Sequence, residues 1–193
     1  VKVLDLRKKA AEAQKLVERA KEKNWDGVAG LYFLGRLQNA KGAALKAKGE
    51  AAAEQEYQQA LKSLEQAVRE RQTFYQAWAE KARAETHLSR YDAALQSARK
   101  AVELNPNNIL TIQALLEVTA VNWRKAAAAD DLVTAGSSAK QVYQLAQAAL
   151  KLQPDNERAK FFRLTYFDNY DYDAALKERL ATLKDDPSNR ENL

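Results

Sequence analysis

The residues able to do chemistry are few, and their spacing argues against catalysis. His87 is the one histidine in a chain of 193 residues that contains no cysteine and no methionine. A histidine acting as general base needs a nucleophile, an acid or a metal within hydrogen-bond reach. Glu85 is two residues away, on a different face of any helix that carries both, so His87 reads as a surface or groove residue. The run from Asp168 to Asp173 invites a calcium reading, because Asn169, Asp171 and Asp173 alternate. A calcium-binding helix-loop-helix needs glycine after the third ligand and a bidentate glutamate near its end. Ala174 and Leu180 stand there instead. The run is better read as a polar turn in which Asp171 or Asp173 caps a helix. Lack of cysteine removes disulfides, thiolate zinc sites and a thiol nucleophile, and no glycine-rich phosphate loop or nucleophile elbow is present. No catalytic residue, cofactor or metal is expected, and the chain is not expected to be an enzyme.

The elements that must position these residues are helices. Alanine is abundant, charged residues make up 30%, and the sequence holds only 6 glycines and 3 prolines. Such a mixture favours helix nearly throughout, and no stretch alternates apolar and polar residues as a strand would. The net charge of +5 is modest and the charges are interleaved, as on solvated helix faces. A nucleic-acid surface would show clustered Lys and Arg with stacking aromatics, so no nucleic-acid partner is expected. Apolar runs are far too short to span a bilayer, so no membrane insertion is expected. The absence of cysteine leaves the compartment open: a cytoplasmic setting is the first expectation, with periplasmic and membrane-anchored ones as alternatives.

The prolines punctuate the chain. Asn105-Pro106-Asn107-Asn108, Gln153-Pro154-Asp155-Asn156 and Asp186-Pro187-Ser188-Asn189 each follow a helical stretch that carries Leu104, Leu152 or Leu183 near its end. Proline ends a helix, and the Asn, Asp or Ser behind it satisfies the free amides of the next one. Tyr91-Asp-Ala-Ala-Leu95 lies fifteen residues before Pro106, and Tyr172-Asp-Ala-Ala-Leu176 lies fifteen before Pro187. A third version, Tyr57-Gln-Gln-Ala-Leu61, lies fifteen before Gln72, where the proline is missing.

These residues resemble the tetratricopeptide repeat, a helical hairpin of about 34 residues. From Tyr75 to Asn108 the match is good: Trp78, Ala82, Tyr91, Ala94, Ala98, Ala101 and Pro106 fall where the family has its packing residues. An earlier unit supplies Leu31, Leu34-Gly35, Tyr57, Ala60, Leu64 and Ala67. Later ones supply Leu115, Leu116, Ala146 and Ala149, then Ala159, Phe162, Tyr172 and Ala175. The resemblance covers nearly the whole chain. It implies an all-α solenoid, a right-handed superhelix of antiparallel helical hairpins with about nine helices.

Two hairpins are expected to have elongated arms. Gly35 to Ala60 exceeds Ala82 to Ala94 by thirteen residues, and Pro106 to Pro154 spans 48. Seven extra residues on each arm add two turns and return the packed stripe to nearly the same face. The turns then fall near Lys48-Gly49 and Ala129-Asp130-Asp131, although Gly136-Ser137-Ser138 fits a helix poorly and leaves a real loop as an alternative. The expected organisation is one repeat domain over 1–193. It comprises a lone N-terminal helix within 1–24, a long hairpin over 25–72, a regular repeat over 73–106, a long hairpin over 107–154 and a last hairpin over 155–187. The first helix carries Leu6, Ala10, Ala13, Val17 and Ala20 on one stripe. A start at Val1 without methionine leads us to expect a processed form or a piece of something longer. With six residues after Pro187, the final hairpin is expected to lack the polar helix that shields such arrays. An aromatic crowd there (Phe161, Phe162, Tyr166, Phe167, Tyr170, Tyr172) would make an open end sticky.

In the family that the chain resembles, the first helix of each hairpin lines a concave groove that receives a peptide. Carried over unit by unit, this nominates Tyr32, Arg36 and Asn39; Gln76, Ala79, Arg83 and Thr86; Gln113 and Glu117; and Arg158, Phe161 and Thr165. Arg36 and Arg83 hold equivalent places in adjacent units. One reading has the two arginines grip a carboxylate or acidic stretch of a partner by forked hydrogen bonds. The other has Arg83 pair with Glu117 and Arg36 remain solvated. The family's Lys, Asn and Arg clamp for a chaperone's terminal carboxylate is not met, since Ala79, Arg83 and Leu110 stand at its places. The function so implied is a scaffold or adaptor that binds a protein or peptide, with an acidic segment as one candidate. The alternative is a structural module that stacks through its uncapped end into a homo-oligomer or onto a neighbouring domain.

Overall fold

The structure, a computed structural model, describes residues 27–170 together with Glu12, Lys15, Glu18, Arg19 and Glu22, which are helical. Seven helices follow one another: α1 (Gly27–Lys46), α2 (Ala52–Glu70), α3 (Tyr75–His87), α4 (Tyr91–Leu104), α5 (Ile109–Ala128), α6 (Leu132–Leu152) and α7 (Glu157–Tyr170). No strand occurs among the described residues. The count is seven against about nine expected. The difference lies in the lone helix of 1–24, described at five residues only, and the second arm of the last hairpin, which lies outside the described residues together with Asp171 and Asp173. By packing, the chain divides into two compact units, Val1–Val118 and Thr119–Leu193, with the division inside α5.

Two kinds of turn alternate. Within hairpins the helix ends in a left-handed residue: Gly49 at φ 72°, Ser89 at φ 61° and Asp130 at φ 55°. The hydrogen bonds there are the same each time. Glu50, Arg90 and Asp131 donate their N–H to the carbonyls of Leu45, Glu85 and Ala126, at 3.0, 2.8 and 3.0 Å. Gly49, Ser89 and Asp130 donate to Lys46, Thr86 and Ala127. Each turn is thus a Schellman closure that satisfies the last carbonyls of the first helix. Between hairpins the helix ends instead on extended backbone at Arg71, Asn105 and Gln153, each N–H still bonded to the carbonyl four residues back. Side chains then open the next helix: Asn108 Oδ1 accepts from Leu110 N–H at 2.9 Å, and Asn156 Oδ1 from Ala159 N–H at 3.0 Å. Where proline is missing, the Trp78 indole N–H donates to the Gln72 carbonyl at 2.7 Å.

In the first unit α1 packs on α2, α3 on α4, and α3 also meets both α1 and α2. Four of the six glycines lie in α1, an unfavourable composition for an isolated helix, where each costs about 1 kcal/mol relative to alanine. Packing explains two of them. A Cβ on Gly35 would meet Leu64 Cγ at 2.5 Å, and one on Gly42 would meet the Tyr57 ring at 2.8–3.0 Å. The glycines are seven apart on α1, and Leu64 and Tyr57 seven apart on α2. Two knobs therefore enter two notches on one face and set the antiparallel register. Around them Val28, Leu31, Tyr32, Ala60, Leu61, Leu64, Ala67, Val68, Ala77 and Ala84 form the core, with Leu45, Ala53 and Tyr57 as a second cluster farther along the arm. In α4 the fully buried face is Ala94, Ala98 and Ala101, residues small enough for close helix contact.

In the second unit α6 packs on α7. Ala135, Ala139, Val142, Ala146 and Ala149 line the buried face of α6, and Ala159 and Phe162 are buried on α7. Gly136-Ser137-Ser138 is helical, one turn into α6. Asp131 caps that helix by accepting from Thr134 N–H at 3.0 Å, which also lowers its carboxyl pKa. No described helix is long and apolar enough to cross a membrane.

The notches give a test with opposite signs. Gly42→Ala should lower stability by about 1–3 kcal/mol, because the rigid Tyr57 ring must move. Gly136→Ala, with nothing within 4 Å of the added atom, should raise it by about 0.5–1 kcal/mol. Chemical denaturation of both variants checks the pair.

Candidate functional site: a polar tie between first helices

Tyr32, Arg36 and Asn39 fall at i, i+4 and i+7 on α1, hence on one face. On α3 the buried line Ala77, Glu80, Ala84 has the spacing of a core stripe, yet its middle residue is a glutamate only 2% exposed. The charge is satisfied by a specific set of donors. Asn39, also buried, donates its amide Nδ2 to the Glu80 backbone carbonyl at 2.9 Å and to Glu80 Oε2 at 3.1 Å. Arg83, one turn on, places Nη1 2.8 Å from Glu80 Oε1. Its Nε lies 3.5 Å from Oε2 of Glu117 on α5.

Glu80 is thus the hub: one carboxylate oxygen holds α1 and the other orients Arg83. Both groups facing the Asn39 amide are acceptors, so the orientation of that amide is fixed, and its buried Oδ1 has no hydrogen-bond partner. Arg83 keeps its charge firmly. Burial works against the charged form, but Glu117 and Glu80 outweigh it and raise the pKa above the usual arginine value. The Tyr32 hydroxyl is raised above its ordinary value near 10, first by burial, with Arg36 opposing through its charge and a hydrogen bond. Its ring lies 5.2 Å from that of Phe74, tying α1 to the start of α3.

The structure therefore brings Tyr32, Arg36, Asn39, Arg83 and Glu117 into one neighbourhood. Arg36 is exposed, and Arg83 and Glu117 retain 24% and 18% side-chain exposure. Gln76 and Gln113 are half-buried on the same helices, and the half-buried Thr86 turns its hydroxyl back to the Ala82 carbonyl at 2.7 Å. Ala79 is fully buried and presents nothing to a ligand. Arg158 and Phe161 are exposed on α7, in the second unit, where Thr165 bonds the Phe161 carbonyl at 2.8 Å. Sequence reasoning missed Glu80. The signal that would have found it is a lone acid on an alanine stripe with an arginine three residues on.

Other buried charges are paired as well. Lys81 meets Glu85 and, at 3.0 Å, the Ser97 hydroxyl, beneath the Trp78 ring. Lys41 pairs with Glu56. Among the described residues no group of three or more His, Cys, Asp or Glu side chains is placed to hold a metal ion.

With this geometry, solved structures of known proteins give the fold. TTC0263, a thermophilic TPR protein of Thermus thermophilus, is 22% identical, with 76% of this chain and 73% of that one covered at a TM-score of 0.56. MamA of Desulfovibrio magneticus RS-1, from residue 41 to its end, is 14% identical, with 94% and 97% covered at 0.54. Human IFIT1, solved as a dimer with PPP-AAAA, is 14% identical, with 87% of this chain and 39% of that one covered at 0.58. No protein-family model matches the sequence, and no curated protein matches it either. The chain has the all-helical tetratricopeptide-repeat fold.

Removing the hub should cost far more than removing the rim. Glu80→Ala leaves the Asn39 amide only the backbone carbonyl and the Arg83 guanidinium only the more distant Glu117, and should lower stability by about 3–5 kcal/mol. Glu117→Ala, which keeps the short Arg83–Glu80 bond, should cost about 1–2 kcal/mol. The tyrosines add a pH signature. Burial raises the pKa of Tyr32 and of Tyr57 in the folded chain, so the unfolded chain ionises first. Their contribution is complete below about pH 10 and is lost as pH climbs through the higher folded values. Urea titrations between pH 8 and 11 should show the decline, and Tyr32→Phe should flatten part of it.

Proposed function

We propose that the chain is a protein-interaction scaffold that holds a peptide or protein segment against the polar face built by α1, α3 and the start of α5, and that the segment it prefers is acidic. The observation that carries this reading is the uneven grip on Arg83. Its bond to Glu80 is short at 2.8 Å, while its contact with Glu117 is 3.5 Å, long for a charge-assisted hydrogen bond. Glu80 holds the guanidinium in place, and Glu117 is the weaker and more exposed neighbour that an incoming carboxylate replaces. Arg36, exposed on the facing helix, adds a second cation. Gln76, half-buried on α3, gives such a segment an amide to rest on. Catalysis has no comparable support: the residues gathered here are a carboxylate, an amide and a guanidinium locked to one another, with no group poised to attack or to exchange a proton.

The test begins with affinity capture from the source cell and continues with direct titration of the captured partner's acidic segment. The double substitution Arg36→Ala/Arg83→Ala should weaken binding about 10–100-fold. Glu117→Gln, which removes the competing carboxylate, should strengthen it. Unchanged affinity in the double variant would contradict the proposal.

A further inference from the structure

The first hairpin is longer than the second, and the excess forms a ledge. From Gly35, α1 runs to Lys46, whereas from the equivalent Ala82, α3 stops at His87. The longer helix continues about six residues further, roughly 9 Å. Its turn and the opening of α2 therefore overhang the turn between α3 and α4. Under the overhang is a cavity of about 350 Å³, lined from above by Lys46, Glu50, Ala53, Glu54 and Tyr57 and from below by His87, Leu88 and Ser89. That volume lies within the usual range of small-ligand sites, about 300–1,000 Å³.

The chemistry of the lining is specific. The exposed carboxylates of Glu50 and Glu54 outnumber the one ammonium, Lys46. The His87 imidazole stacks on the Tyr57 ring at 4.3 Å and 16°, and His87 itself is exposed. Tyr57 is 1% exposed, and its hydroxyl is buried with no hydrogen-bond partner. A buried polar group left unpaired is costly, and a site that combines one with a flat ring and excess carboxylate suits a planar cation. The Tyr57 ring is covered by His87 and α1, so the flat face open to a ligand is that of the exposed His87 imidazole. A guanidinium stacks on that face, forks to the carboxylates and donates to a hydroxyl oxygen. An ammonium can donate to the carboxylates and the hydroxyl, but it has neither the flat face nor the fork. We propose that this ledge is a second binding site, apart from the α1–α3 face, and that it takes an arginine side chain of a protein partner.

His87 makes the test direct, because a chain with one histidine gives one imidazole Cε1–H resonance. The probes are N-acetyl-arginine methylamide, its neutral citrulline counterpart and free L-arginine, titrated into the full chain. The arginine amide should shift the His87 resonance saturably, and citrulline should not. Glu50→Gln/Glu54→Gln, both on exposed side chains, should weaken the response about tenfold. Arg36→Ala/Arg83→Ala should leave it unchanged, which separates this site from the α1–α3 face. Tyr57→Phe should keep the fold and reduce binding. No saturable shift, an equal response to citrulline, or full binding by the double glutamine variant would overturn the site. Free L-arginine binding tenfold more tightly than the amide would overturn its assignment to a protein side chain.

Discussion

The first unit depends on one steric fit: two glycines on α1 receive two large side chains from α2. Gly35 admits Leu64 and Gly42 admits Tyr57, in both cases to distances at which a Cβ could not stand. The fit costs helix propensity in α1 and returns close packing along two turns, so the register of the long hairpin is set by shape rather than by hydrogen bonds. Much else follows. A fixed register presents Tyr32, Arg36 and Asn39 to α3, and it holds the far end of the arm out over the α3–α4 turn. Tyr57 is both the knob that fills the outer notch and the ring on which His87 stacks.

A second constraint is electrostatic. Three carboxylates, Glu56, Glu80 and Glu85, are nearly excluded from solvent, and each faces a cation. Buried pairs of this sort add little net stability, because desolvation offsets attraction, but they penalise any arrangement that separates the partners. Here they act between elements as well as within them. Asn39 to Glu80 joins α1 to α3, Lys41 to Glu56 joins α1 to α2, and Lys81 to Ser97 joins α3 to α4. Where alanines line the contact, as on α4 with Ala94, Ala98 and Ala101, shape specifies sliding poorly. There a polar tie such as Lys81 to Ser97 supplies the positional discrimination that the glycine notches supply between α1 and α2.

Much of the fold was legible because helical repeats advertise themselves through punctuation and small residues. Tyr91, Ala94, Ala98 and Pro106 have the spacing they do because helix pairs must approach closely and then stop. Other features were not legible. Ser89 and Asp130 take the same left-handed turn as Gly49, yet only glycine signals it in a sequence; the other two are held there by the helix carbonyls that they close. Gly136-Ser137-Ser138 has loop composition, but the Asp131 cap and the alanine face of α6 override propensity. At the candidate site, transfer from the repeat pattern named the rim, Arg36, Arg83 and Glu117, and missed the hub. Glu80 sits on a core line where charge is not expected, and the partner that buries it, Asn39, comes from α1, 41 residues away.

Whether the polar face shared by α1 and α3 holds a partner can be read by site-specific photo-crosslinking. A photoreactive residue placed at Arg36, exposed on that face, should crosslink to the captured partner, and one placed at Glu65, exposed on α2, should not. Crosslinking from Glu65 with none from Arg36 would contradict binding at that face and move the surface to the second helices of the hairpins.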